Sequence, residues 1–103
     1  MDASIEHTKG IEFGKNGEFG AAINAFTNVI GLRPDEPEAY YNRGLAFLKS
    51  GDLDNAIADF DEVVRLRPDV AAAYGKRGIA YKNKGNLEQA QSDFAKAKEL
   101  SGS

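Results

Sequence analysis

The segment from Pro37 to Pro68, PEAYYNRGLAFLKSGDLDNAIADFDEVVRLRP, recurs on both sides of itself at an offset of 34 residues, with no gap. Tyr40 returns as Tyr74, Arg43 as Arg77, Gly44 as Gly10 and Gly78, and Gly51 as Gly17 and Gly85. Ala56 returns as Ala22 and Ala90, Phe60 as Phe26 and Phe94, Leu66 as Leu32 and Leu100, and Pro68 as Pro34. A fixed period of this size marks stacked supersecondary units, each too small to bury its apolar face alone. Within the unit, two amphipathic stretches flank a glycine and no strand signal appears, so the expected fold is all-α: six helices in three hairpins.

Local chemistry predicts where each helix starts and stops. Asp2 can cap a helix over about residues 3–16, with Ile5, Phe13 and Gly10 on its buried side, and Gly17 can supply the left-handed residue that ends it. A second helix over 19–32 carries Ala22, Ile23, Phe26, Val29 and Ile30, the stripe of a one-sided helix. Pro34 closes this hairpin, and Asp35 with Glu38 has capping-box spacing, which predicts a helix from about Glu36 to Ser50. Asp52, Asp69 and Asn86 are the expected caps of the last three helices, with turns at Gly51 and Gly85. Gly10 with Ala22, Gly44 with Ala56, and Gly78 with Ala90 fall where the helices of a hairpin cross, leaving room for Phe26, Phe60 and Phe94.

An aromatic, Gly, aromatic, Gly-Asp, Ala, Phe and Pro follow one another as Tyr40, Gly44, Phe47, Gly51-Asp52, Ala56, Phe60 and Pro68. In this the chain resembles three consecutive tetratricopeptide repeats, of the variant with Asn42-Arg43-Gly44 and Lys76-Arg77-Gly78 in the first helix. The resemblance implies a right-handed α-solenoid with repeats at about 3–36, 37–70 and 71–101, a single domain over 1–101, and Gly102-Ser103 as a tail or cloning remnant. Where the family's commonest pattern has Leu, this sequence has Arg43 and Arg77, each accompanied by an acid, Asp59 and Asp93, while the first repeat has Lys9 and Ala25 instead. Arg and Asp appearing together predicts ion pairs, either within a repeat or between Arg77 and Asp59. Polar Gln91 and Lys98 stand where other repeats have Ile23, Ile57, Ile30 and Val64, and Glu6 stands where they have Tyr40 and Tyr74, as terminal units of a solenoid require. No stretch matching the family's frequent extra capping helix is read after the third repeat, so end-to-end association is expected to stay open.

In the family, first helices of successive repeats line a concave groove that receives an extended or helical peptide. Carried over by position, the groove is lined by Ser4, His7, Ile11 and Lys15, by Glu38, Tyr41, Asn42, Leu45, Leu48 and Lys49, and by Ala72, Lys76, Ile79, Lys82 and Asn83. Tyr41, Leu45 and Leu48 form a second apolar stripe beside Tyr40, Gly44 and Phe47, one more than a hairpin core needs. Ile11, Leu45 and Ile79 are expected to pack between helices. The lysines gathered on one face of an acidic chain point to a ligand with an apolar anchor and carboxylates, with Tyr41 as leading anchor and Lys49 as its charged companion. Family members that grip the terminal carboxylates of a chaperone tail do so with five Lys, Asn and Arg positions, here His7, Ile11, Asn42, Ala72 and Lys76. Only Asn42 matches and Lys76 replaces Arg, so that clamp is not expected.

Other classes are poorly supplied. There is no Cys and one His, so neither a disulfide framework nor a thiolate or His-rich metal site is expected, and no cofactor is implied. The net charge of −3 opposes a general nucleic-acid binder. No apolar run approaches a membrane span and residues 1–10 lack the pattern of an export signal, so a cytoplasmic protein is the default. Asp59, Asp61 and Glu62 read as adjacent acids on a solvated helix face, not a catalytic pair, and an enzyme is not expected. The expected function is a protein-interaction module that binds a partner peptide. The expected state is a monomer or a weakly self-associating chain, and the alternatives are a self-assembling scaffold unit stacking through its terminal helices, or an engineered or excised repeat array.

Overall fold

The computed structural model describes residues 2–102; Met1 and Ser103, the latter part of the expected tail, lie outside the described residues. Helices α1 (Ala3–Lys15), α2 (Phe19–Leu32), α3 (Pro37–Ser50), α4 (Leu53–Leu66), α5 (Ala71–Lys84) and α6 (Leu87–Ser101) follow in order, and no strand occurs among the described residues. Gly17, Gly51 and Gly85 take φ of 78°, 86° and 89°, the left-handed conformation that stops the first helix of each hairpin at little steric cost. None of the helices is long and apolar enough to cross a membrane.

Helices start partly as the caps predict. Asp2 accepts from the Ser4 amide at 2.8 Å, and Asp52 from the Asn55 amide at 3.4 Å. The Asp35–Glu38 capping box does not form: α3 is preceded by Glu36, with Pro37 in the first turn. Proline lacks an amide proton and fixes a helical φ, so one orphan donor is removed without a cap. Asp69 likewise lies one residue too early, since Val70 precedes α5, and Asn86 precedes α6 without a side-chain bond. The linkers are fastened from the other side: the Tyr40 hydroxyl donates to the Pro34 carbonyl at 2.9 Å and Tyr74 to Pro68 at 3.0 Å. Each such bond ties a hairpin to the one before it, which accounts for the recurring tyrosine.

The hairpin crossings follow the small residues. A methyl built on Gly44 would lie 2.8 Å from Phe60 Cε1 and 3.2 Å from Asp59 Cβ; on Gly10 it would lie 2.6 Å from Phe26, and on Gly78 2.7 Å from Phe94. The phenylalanine ring thus rests on bare backbone. Phe60 is 0% exposed, whereas Phe94 is 38% exposed and has room to yield. Gly44→Ala is therefore expected to cost about 1–3 kcal/mol as overpacking, and Gly78→Ala clearly less, in urea unfolding. Equal costs would mean that the close approach does not decide the crossing. Ile5, expected on the buried side of α1, is 56% exposed, and Ala3 and Glu6 are buried there instead. The mistake is one of phase, since Gly10 and Glu6 lie four residues apart on one face.

Arg43 and Arg77 pair within their own repeats. Arg43 Nε and NH2 donate to Asp59 at 2.8 and 2.7 Å, and Arg77 makes the same fork with Asp93 at 2.9 and 2.7 Å. The Arg77–Asp59 alternative is not realised. The remaining arm crosses to the preceding hairpin: Arg43 NH1 donates to Thr27 Oγ1 at 3.1 Å, and Arg77 NH1 to Asp61 Oδ1 at 2.9 Å. Asp59, read from the sequence as solvated, is 3% exposed, and Asp61 is a structural bridge. The hydrogen bonds to Asp59 and Asp93 raise the two guanidinium pKa values further, and burial pushes the Asp59 carboxyl up while Arg43 pulls it back part of the way. Arg43 also lies over the Tyr40 and Phe47 rings at 6.0 and 5.8 Å.

First helices touch one another, α1 with α3 and α3 with α5, whereas α2, α4 and α6 make no mutual contacts. A stack closed on one side and splayed on the other must curve. The concave side therefore belongs to α1, α3 and α5.

Candidate functional site

Two clefts open on the concave side, and Asn42 borders both. The first, of about 200 Å³, lies between α1 and α3 and is lined by Gly10, Ile11, Gly14, Lys15, Phe19, Phe26, Asn42, Leu45, Ala46 and Lys49. Its floor is apolar, and its two cations sit near the ends of α1 and α3. The second, of about 540 Å³, lies where α3 meets the end of α4 and the start of α5, and is lined by Glu36, Pro37, Glu38, Tyr41, Asn42, Val63, Arg67, Val70 and Ala72. The Tyr41 ring stands edge-on to Phe60 at 5.8 Å, which fixes it, and burial raises its hydroxyl pKa above the usual 10.0.

The expected groove residues divide among these places. Ile11, Lys15, Asn42, Leu45 and Lys49 come together on the first cleft, and Glu38, Tyr41, Asn42 and Ala72 on the second. Tyr41 and Lys49, expected as one anchoring pair, therefore face different clefts. Leu48, Lys76, Ile79 and Lys82 line neither. Ile11 and Ile79, expected to pack between helices, are 39% and 38% exposed. The contacts of α1 with α3 and of α3 with α5 are too sparse to cover them.

The sequence reading missed Phe19, Phe26, Gly10, Gly14 and Ala46 in the first cleft, and Pro37, Val63, Arg67 and Val70 in the second. One signal was present. Gly14 lies in a helix and ends no turn, yet glycine there costs about 0.5–1 kcal/mol relative to alanine, and an added methyl would meet nothing within 4 Å. Its absent side chain leaves the cleft open. Phe26 escaped because it already had a role at the Gly10 crossing; the same ring also faces His7 edge-on at 5.5 Å.

Among the described residues no ion pair involves Lys15, Lys49, Lys76 or Lys82. Two uncommitted ammonium groups beside an apolar floor can hold an apolar side chain and a neighbouring carboxylate together. His7 is engaged: its Nε2 lies 3.0 Å from Asn42 Nδ2 and its Nδ1 3.9 Å from Glu36 Oε1. The lining of the first cleft includes no nucleophile and base in contact.

The tetratricopeptide repeat family model matches residues 7–71 and 46–102. No curated protein sequence matches the chain. Among solved structures, the first TPR of Spaghetti (RPAP3) bound to the HSP90 peptide SRMEEVD is 28% identical with a TM-score of 0.92, over 95% of this chain and 78% of that one. A crystal structure of MamA is 31% identical with a TM-score of 0.93, over 97% of this chain and 58% of that one. The TPR domain of Arabidopsis OM64 is 26% identical with a TM-score of 0.92, over 95% and 81%. This chain thus spans little more than half of the MamA chain.

Proposed function

The chain belongs to the tetratricopeptide repeat family, and from that premise we propose that residues 1–101 form one interaction domain whose concave face receives an extended segment of a partner protein. An apolar side chain of that segment enters the cleft between α1 and α3, and a carboxylate next to it meets Lys15 and Lys49. The reading is supported above all by the juxtaposition of an apolar floor, built from Ile11, Phe19, Phe26 and Leu45, with two lysines that form no ion pair among the described residues. The HSP90 peptide carried by the similar RPAP3 domain supports a peptide as the class of ligand. The module works by binding, without a cofactor or reaction, and acts in the cytoplasm.

The ligand is not a chaperone tail held through its terminal carboxylates. Of the five gripping positions, Ile11 and Ala72 offer no donor, and Asn42 already faces His7. A clamp requires several charge-assisted donors converging on one group, and here the free cations lie further along the first cleft.

Selection of a random peptide library displayed on phage tests the proposal. Enriched sequences are expected to share a large apolar residue within about two positions of Asp or Glu. Lys49→Glu, an exposed substitution that leaves the core untouched, is expected to weaken the selected peptides at least about tenfold, since it replaces an attraction by a repulsion, 1.4 kcal/mol per decade. Peptides of other composition, or unchanged affinity in the variant, would remove the support for this cleft as the receptor.

A further inference from the structure

Beside the second cleft, one nitrogen of His7 and one carboxylate oxygen from each of Glu36 and Glu38 lie within 4.8 Å of one another. The three residues come from two hairpins: His7 from α1, Glu36 from the residue before α3, and Glu38 from its first turn. The imidazole is fixed on two sides, by the Phe26 ring at 5.5 Å and by the Asn42 amide at 3.0 Å from Nε2. That leaves Nδ1 facing Glu36. The terminal amide of Asn42 can present either its oxygen or its nitrogen to Nε2. With the Asn42 amide turned over, Oδ1 accepts from Nε2–H, and Nδ1, 3.9 Å from Glu36 Oε1, is the nitrogen that keeps a free lone pair. A metal-binding histidine is held in this way, its outer N–H donated to a carbonyl and its inner nitrogen turned to the metal.

We propose that His7, Glu36 and Glu38 form a binding site for a divalent transition metal, for which zinc has the fitting chemistry, and that the ion fastens the first hairpin to the second. One imidazole and two carboxylates make a nitrogen–oxygen set that suits zinc better than the all-oxygen cations. Zinc bonds of about 2.0–2.2 Å put tetrahedral ligands about 3.3 Å apart, so the atoms now within 4.8 Å must draw in by about 1.5 Å. Glu38 is exposed and can swing, and the side chain of Glu36 is 28% exposed. Water completes the shell. Arg33 lies 3.4 Å from the other oxygen of Glu36 and competes for it, so the expected affinity is about micromolar, below that of a closed structural site. The sequence does not announce the site, because its ligands are separated by a whole hairpin.

Untagged, metal-stripped protein titrated with Co²⁺ should develop a visible absorption band that saturates at one equivalent and is displaced by Zn²⁺. Zn²⁺ should also raise the melting temperature. His7→Ala and Glu38→Gln should each lower the Zn²⁺ affinity at least tenfold and abolish the melting shift, while Glu12→Gln, an exposed carboxylate elsewhere on α1, should change neither. Glu38 is at the surface, so its variant folds even if His7→Ala does not. No saturable binding up to 1 mM metal (a limit about a thousandfold above the expected micromolar range), equal affinity in Glu38→Gln, or an equal loss in Glu12→Gln would overturn the site. None of these readings depends on the peptide, so either proposal can fail alone.

Discussion

Phe60→Ala is expected to lower the stability of the domain by about 3–5 kcal/mol, the range for deleting a buried aromatic ring. Phe60 is 0% exposed, lies on Gly44 at the crossing of α3 and α4, and supports the Tyr41 ring from below. Its removal therefore opens a cavity in the middle hairpin, on which both neighbours pack. A domain of this size commonly has about 5–15 kcal/mol in total, so the loss takes a large share of it. Phe94→Ala is the matched comparison. The same ring in the last repeat is 38% exposed, and its loss should cost about half as much in urea unfolding. Equal losses at the two positions would contradict a core centred on the middle repeat.

Asp59→Ala should cost about 2–3 kcal/mol. Breaking a buried ion pair by removing one partner typically costs about 3–5 kcal/mol, and the partial exposure of the Arg43 side chain, 21%, lowers that here. Asp93→Ala should cost less, although its fork with Arg77 has nearly the same geometry. When Asp93 is removed Arg77 keeps a carboxylate, Asp61 at 2.9 Å, whereas Arg43 without Asp59 keeps the neutral Thr27 hydroxyl and the Tyr40 and Phe47 rings but no carboxylate among the described residues. Double-mutant cycles should give strong coupling for Arg43 with Asp59 and for Arg77 with Asp93, and coupling within error for Arg77 with Asp59. A larger cost at Asp93 than at Asp59 would show that the arms reaching the preceding hairpin carry little.

The period, the helices and the crossings can be read from the residues because each rests on local chemistry. Gly51 and Gly85 stop helices by backbone conformation, and Gly44 admits a ring by lacking one carbon. The charge network is only half legible. Arg43 and Asp59 recur at one offset, so their pairing can be guessed, but the choice of Asp61 over Asp59 for the third arm of Arg77 depends on the stagger between hairpins, which no single repeat encodes. The clefts are less legible still. Position along the first helix identifies Ile11, Lys15, Leu45 and Lys49, but the floor between them is Phe26 and Phe19 of the second helix, seen through the gap at Gly14. Curvature and an absent side chain expose them, and neither has a residue pattern of its own.

Gly14 also gives the most direct test of the concave face as a receptor. Gly14→Leu places a side chain in the first cleft without meeting any atom within 4 Å at its Cβ, and it replaces glycine in a helix by a better helix former. The peptide selected with the highest affinity would be titrated calorimetrically into the wild type and into this variant, with thermal unfolding of both recorded. Binding lost by more than about tenfold, 1.4 kcal/mol, with a melting temperature equal to or above that of the wild type, is the predicted result. Undiminished affinity in a folded Gly14→Leu protein would contradict the account, because the partner would then be bound somewhere other than the cleft between α1 and α3.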